Sequence, residues 1–229
     1  MPEGRRALAQ SVIVQKGYQM NILIIGSTGG TGKQLVHQAL ERDYNVTAFA
    51  RNPSKIKIKH DRLKVVKGNV LDIDSLKSAM AGQDIVLCAL GHKRWLYPTK
   101  ILSEGTGNII ASMKENGVKR LICETSLGVG NSIGRMGLYY TFFVIPFILP
   151  FYFWDKKRQE QIVQSSDLDW TIVRPGALNN RRARGSYRHG LKIGNYFYTV
   201  RISRADVADF MLNQIEEKKY VRSKPGVCW

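Results

Sequence analysis

The chain has 229 residues, 44% of them hydrophobic, which is enough to bury one substantial core. Its 35 Lys and Arg against 18 Asp and Glu leave a formal net charge of +17, compatible with nucleic acid, an anionic membrane surface, or a phosphate-bearing cofactor. Nucleic acid is disfavoured, because the basic clusters (Lys55, Lys57, Lys59, Arg62, Lys64 and Lys67; Arg181, Arg182, Arg184 and Arg188) lack the interleaved aromatics of a single-strand binding surface.

Residues 1–19 carry Arg5 and Arg6 but no long apolar core and no convincing cleavage site, which argues against a secretory signal. Glu3 and the shortage of Ser argue against a transit segment. Residues 1–19 therefore read as a disordered extension, Met20 as a candidate start, and 20–229 as one domain.

Residues 21–25 are short, β-branched and end at Gly26, the pattern of a strand buried on both faces, while 33–43 place Leu35, Val36 and Leu40 on one helical face. Between them the glycines of Gly26-Ser-Thr-Gly-Gly-Thr-Gly32 form a strand-to-helix turn. Gly26 permits the turn, Gly29 lets backbone N–H groups approach a pyrophosphate, and Gly32 lets the helix pack close to the sheet with its N-terminus on the anion. The spacing is Gly-x-x-Gly-x-x-Gly rather than Gly-x-Gly-x-x-Gly, so the strand–turn–helix context carries the assignment to a dinucleotide.

A second strand over 44–50 ends in Arg51, where an NAD-binding protein usually places a carboxylate. Arg51 and Lys55 can instead form charge-assisted hydrogen bonds to a 2′-phosphate, so NADP is expected over NAD. A third strand over 63–66 runs into Asn69 and Val70, beside the adenine, and a short helix over 73–80 opens at Asp72 or Asp74. The fourth strand, 84–89, ends at Gly91 and His92; a helix over 101–116 closes at Gly117; the fifth strand is 119–124 and the sixth 170–174. This alternation specifies an α/β, doubly wound parallel sheet. Cys88, Cys123 and Cys228 show no pairing or metal spacing and read as buried thiols of a reducing, cytoplasmic protein. His37, His60, His92 and His189 are scattered singly and imply no metal.

Residues 136–154 contain no charge for 19 positions. A membrane span is excluded by topology, since the strands on either side share one sheet, and by Pro146 and Pro150. The segment reads as packed against the core, as an apolar lid over a substrate pocket, or as a peripheral membrane foot. At its end Tyr152 and Lys156 share a helical face. An ammonium beside a phenol lowers the phenol's pKa from about 10, so such a pair can pass a proton to or from a substrate oxygen. Tyr220 and Lys224 have the same spacing, and Tyr152 reads equally as one more core aromatic. Residues 177–200, with alternation in 196–200, suggest a hairpin; Ser203 caps a helix over 204–215 with Val207, Phe210 and Met211 inward; 221–229 adds a last strand.

The glycine turn, Arg51, Gly68-Asn-Val-Leu-Asp72, Ser103-Glu-Gly-Thr-Gly-Asn-Ile-Ile-Ala-Ser-Met113, Thr125-Ser126 and Thr171-Ile-Val-Arg-Pro-Gly176 together resemble the atypical short-chain dehydrogenase/reductases, in particular biliverdin-IXβ reductase/flavin reductase and the nitrogen-metabolite-repression regulators. The resemblance covers nearly everything after Met20 and implies a Rossmann-type fold. It implies NADP held by Gly26, Thr28, Gly29, Gly30, Thr31, Gly32, Arg51, Lys55, Asn69, Val70 and Gly91, with the backbone at Pro175 meeting the nicotinamide amide. Asn69 departs from the usual Asp. Between the fifth and sixth strands, short-chain dehydrogenases carry the Tyr–Lys pair, so Ser126, Tyr152 and Lys156 are the catalytic candidates, with Lys156 also holding the nicotinamide ribose; biliverdin-IXβ-type members lack the pair and still transfer hydride. Two functions compete: NADPH-dependent reduction of a small apolar carbonyl, quinone-like or conjugated substrate, and a non-catalytic NADP-sensing or assembly role.

Overall fold

The computed structural model describes residues 19–92 and 97–229, so the reading of 1–19 as a disordered extension lies outside them for all but its last residue. In chain order the elements are β1 (Asn21–Ile25), α1 (Gly30–Glu41), β2 (Asn45–Ala50), β3 (Leu63–Lys67), α2 (Ile73–Met80), β4 (Ile85–Cys88), α3 (Ile101–Glu115), β5 (Arg120–Glu124), α4 (Pro150–Gln164), β6 (Asp169–Pro175), β7 (Ala177–Asn179), β8 (Arg188–Gly190), β9 (Arg201–Ser203), α5 (Arg204–Glu216) and β10 (Gly226–Cys228).

β1 sends Ile22 and Ile24 into one core and Leu23 and Ile25 into the other, the two-residue alternation of a strand covered on both faces. β4 and β5 do the same, with Leu87 and Ile122 on one side and Cys88 and Cys123 on the other. The first core is closed by α1 and α5 through Leu35, Val36, Val207, Phe210 and Met211, the second by α2, α3 and α4. The sheet runs β3-β2-β1-β4-β5-β6-β10-β8, parallel except for β8. This is the expected Rossmann-type arrangement, and the strand order reverses between β1 and β4, where the loops diverge and leave a crevice at the carboxyl edge.

Side chains set the helix ends. Asp72 Oδ1 accepts from the N–H of Asp74 (3.2 Å) and Ser75 (3.4 Å) to open α2, and Ser203 Oγ accepts from the N–H of Asp206 (3.0 Å) to open α5. α1 begins three residues before its apolar periodicity does, because its first turn belongs to the glycine turn and not to the core.

Two expectations are corrected. The hairpin in 177–200 does not form: β7 pairs with β9 in parallel and β8 with β10 in antiparallel. Residues 196–198 are instead folded by Asn195, whose Oδ1 accepts from the N–H of Phe197 (2.7 Å) and Tyr198 (3.0 Å), leaving the aromatics outward. The reading of 136–154 as packed against the core also fails for about half of its length. Tyr140–Ile148 is a π-helix containing Pro146 that leads into α4; Val144 is buried, but Phe142, Phe143, Phe147 and Ile148 are exposed. A helix apolar on every side has only one side to offer the core. Among the described residues no helix is long and apolar enough to cross a membrane.

Candidate functional site

Gly26 adopts φ +83°, and a Cβ there would strike the Ala89 carbonyl at the end of β4. Gly32 lies against the carbonyl of Gly26, which also accepts the Gly29 N–H at 2.9 Å. These contacts fold the turn back on itself and aim the first N–H groups of α1 out of the carboxyl edge. Gly29 and Gly30 are exposed, no side chain caps the helix, and its first turn holds no carboxylate. The sequence expectation that Gly32 seats the helix closely therefore has its physical basis, and the open turn fits a pyrophosphate. Thr28 is half-buried in the turn, while Thr31 is buried and donates to Glu124 Oε1 at 3.0 Å. Thr31 thus ties α1 to β5.

The remaining cofactor candidates all follow carboxyl ends of strands. Arg51 comes directly after β2 and is exposed, as is Lys55 at the end of the short turn Pro53–Lys55 that Asn52 caps. A cleft of about 330 Å³ lined by Ser27, Lys33, Lys55 and Lys57 opens at Lys55, with the Ser27 hydroxyl donating to the Phe49 carbonyl (2.9 Å). Three lysines lining one cleft supply the positive charge that a 2′-phosphate needs. Asn69 follows β3 and is exposed; Val70 is buried against Gly105 of α3, and its carbonyl accepts from Asn108 Nδ2 (3.0 Å). Pro175 ends β6, its carbonyl accepting from the Leu127 N–H at 3.0 Å.

The catalytic candidates come from three neighbouring elements. β4 and β5 are in register at Cys88 and Cys123, which puts Gly91 and Ser126 at equivalent places on adjacent loops. Tyr152, in the first turn of α4, reaches over this edge: a Cβ on Gly91 would sit 3.8 Å from its hydroxyl, and its ring meets His92 edge-on at 5.1 Å. Lys156 lies one turn deeper, fully buried, donating to Glu124 O (2.9 Å) and Leu90 O (3.3 Å) with its ammonium 5.7 Å from the centre of the Tyr152 ring. Burial alone would lower its pKa, yet the negative charges that Tyr152, Cys123, Glu124 and Cys88 carry when ionised hold it above the ordinary lysine value. Ser126 is half-buried, and its hydroxyl donates to Leu127 O at 2.8 Å.

Sequence reasoning missed what surrounds these groups. Arg204, the first residue of α5, lays its side chain over the glycine turn, with Nε 2.6 Å from where a Cβ of Gly30 would be and Nη1 donating to Asn180 Oδ1 at 2.8 Å. Glu124 is buried beneath it, its carboxyl pushed up by burial against the lowering influence of Lys156, Thr31 and Arg204. α4 buries a polar face: Asp155 accepts from the N–H groups of Leu102 (2.9 Å) and Ser103 (3.1 Å) at the start of α3, and Glu160 takes Arg174 in a two-pronged pair at 2.8 and 2.5 Å and the Thr125 hydroxyl at 2.8 Å. These partners are distant in sequence, and no local spacing marks them.

The NAD(P)H-binding family model matches residues 26–218. An uncharacterised chloroplastic protein of Arabidopsis thaliana is 28% identical over 189 residues, 74% of this chain and 65% of its own length, so the chain spans less than two thirds of that relative. A solved Rossmann-fold NAD(P)-binding protein from Shigella flexneri is 27% identical with TM-score 0.70, covering 92% of this chain and 93% of its own. A short-chain dehydrogenase/reductase from Veillonella parvula, solved in complex with NADP, shares the fold with TM-score 0.75 at 18% identity, covering 93% and 95% of the two chains.

Proposed function

Because the chain belongs to the NAD(P)H-binding family, we propose that it is an NADPH-dependent oxidoreductase that reduces an apolar carbonyl, quinone-like or conjugated substrate. The observation that carries this reading is the Tyr152 hydroxyl, held at Gly91 over the same sheet edge as the glycine turn, with the Lys156 ammonium buried beside its ring. When bound, the nicotinamide supplies the hydride. The chain's own part is to orient and to handle a proton: the turn, Arg51, Lys55 and Arg204 bind phosphates, Lys156 braces the ends of β4 and β5 through their carbonyls, and Tyr152 gives a proton to the substrate oxygen. The half-exposed edge of the 136–154 segment supplies apolar surface for the substrate. Three free, buried thiols fit a reducing compartment, and with a chloroplastic relative the proposal is for such a compartment rather than the cytoplasm alone.

Tyr152→Phe tests this. Turnover of a quinone and aldehyde panel is expected to fall by about 10²- to 10⁴-fold while NADPH affinity stays within about a factor of two. Undiminished turnover would remove Tyr152 from the chemistry. The second reading, a non-catalytic NADP-sensing or assembly protein, draws on Lys156 and Ser126 being engaged with backbone carbonyls; it prevails if the unmodified protein binds NADPH tightly and oxidises none of it across the panel.

A further inference from the structure

The longest uncharged run of the chain ends up on the surface. Tyr139, Phe142, Phe143 and Phe147 stand exposed along the π-helical segment, Phe147 at 76%. The loop at 196–198 comes alongside: the Leu138 N–H donates to Phe197 O at 3.4 Å, and Gly137 lies against the backbone of Tyr198. Phe197 is 78% exposed. Two separate segments thus build one apolar, aromatic-rich face, and contiguous exposed apolar surface of this kind marks interaction sites.

The exposed charges that flank these segments in the chain are cationic. Arg135 reaches Leu191 O at 2.8 Å, Arg158 lies 4.7 Å over the ring of Trp154, the charge of Arg201 is felt at Tyr140, and Lys157 and Lys192 are exposed nearby in the chain. Between residues 126 and 202 the acidic residues are Asp155 and Glu160, both buried and bonded, and Asp167 and Asp169, which lie at the start of β6 on the opposite edge of the sheet. No exposed carboxylate among the described residues of this stretch offsets the cationic rim.

We propose that this face docks on an anionic lipid bilayer, with the aromatic side chains entering the boundary between headgroups and acyl chains and the Lys and Arg rim meeting the headgroups. A second copy of the chain fits poorly, since it would bring two cationic rims together. The foot lies on the bilayer and does not span it. Because the π-helix runs directly into the first turn of α4, docking puts Tyr152 beside the lipid surface. Resting on the reductase reading, this also means that the substrate is drawn from the bilayer.

Flotation of the full chain with vesicles of about two parts phosphatidylcholine to one part phosphatidylglycerol, against phosphatidylcholine alone, tests the docking. About tenfold greater recovery with the anionic vesicles is expected, reduced by high salt. Two variants are compared, Phe142→Ser/Phe143→Ser/Phe147→Ser and Phe197→Ser/Tyr198→Ser, so that a failure of one to fold leaves the other. Each is expected to lose most of the flotation. No recovery with anionic vesicles overturns the proposal, as does recovery that both folded variants retain. Self-association abolished by the same substitutions, without vesicle binding, assigns the face to a second copy and also overturns it. Flotation requires no turnover, so absence of NADPH oxidation would sink the reductase reading and leave docking standing.

Discussion

Gly32 has no room for a side chain, because a Cβ there would enter the carbonyl of Gly26, which is backbone and cannot swing aside. Gly32→Ala must therefore separate α1 from the turn; the expected cost exceeds about 1 kcal/mol, read as a lower urea midpoint, with weaker NADPH binding because the helix N-terminus is re-aimed. Gly30 differs in kind. Its neighbour is the flexible Arg204 side chain, so Gly30→Ala displaces a guanidinium rather than a backbone, and its stability should stay within about 0.5 kcal/mol of the parent. Arg204 adds a cation over an open helix start, so Arg204→Ala is expected to weaken NADPH about tenfold in a fluorescence titration at low salt, with the difference narrowing as salt rises. Equal affinities would remove Arg204 from the binding site. The turn was legible from sequence because its glycines fall within one short stretch, 26–32, flanked by a strand and a helix. Arg204 was not, because only the packing of α5 against α1 brings it there.

Among the elements, α4 and α5 carry buried charge that the apolar periodicity does not reveal. In α4 the Glu160–Arg174 pair is almost wholly inaccessible, so Glu160→Ala leaves a guanidinium buried without its partner; a loss of about 3–5 kcal/mol is expected by chemical denaturation, and Glu160→Leu combined with Arg174→Met should recover much of it. In α5, burial alone would raise the carboxyl pKa of Asp206, but hydrogen bonds from Ser203, the Arg184 N–H, the Trp229 indole and the Gly185 N–H hold it below the ordinary carboxylate value. A depressed pKa contributes stability above the unfolded value of about 3.9 that is lost as pH falls through the lower folded value. Asp206→Asn should therefore destabilise the protein near neutrality and flatten the acid side of its stability–pH profile; a variant with the parent's acid slope would contradict this. The strands of the doubly wound sheet were readable because both faces are buried and β-branched residues fill them. The alternation in 196–200 misled because aromatic side chains beside an Asn-stapled turn produce the same two-residue period without any pairing.

For the molecule as a whole, the sheet divides at the switch between β1 and β4 into a nucleotide half and a half that carries Ser126, Tyr152 and the aromatic face, and a bound dinucleotide would join them. The excess of positive charge acts on both halves at once. It would favour a phosphate-bearing cofactor bound at the cleft lined by Ser27, Lys33, Lys55 and Lys57 and anionic headgroups at the rim of the exposed face. A ligand that binds only the folded state stabilises it by about 2.7 kcal/mol at a hundredfold excess over its Kd. If Arg51 and Lys55 discriminate by about tenfold, NADH at the same concentration supplies about 1.4 kcal/mol less, since each factor of ten in affinity is worth that much. NADPH should therefore raise the melting temperature more than NADH does, and Arg51→Ala should bring the two shifts together by lowering that of NADPH alone. Equal shifts in the parent protein, or a gap that survives Arg51→Ala, would place the phosphate selectivity elsewhere than at the end of β2.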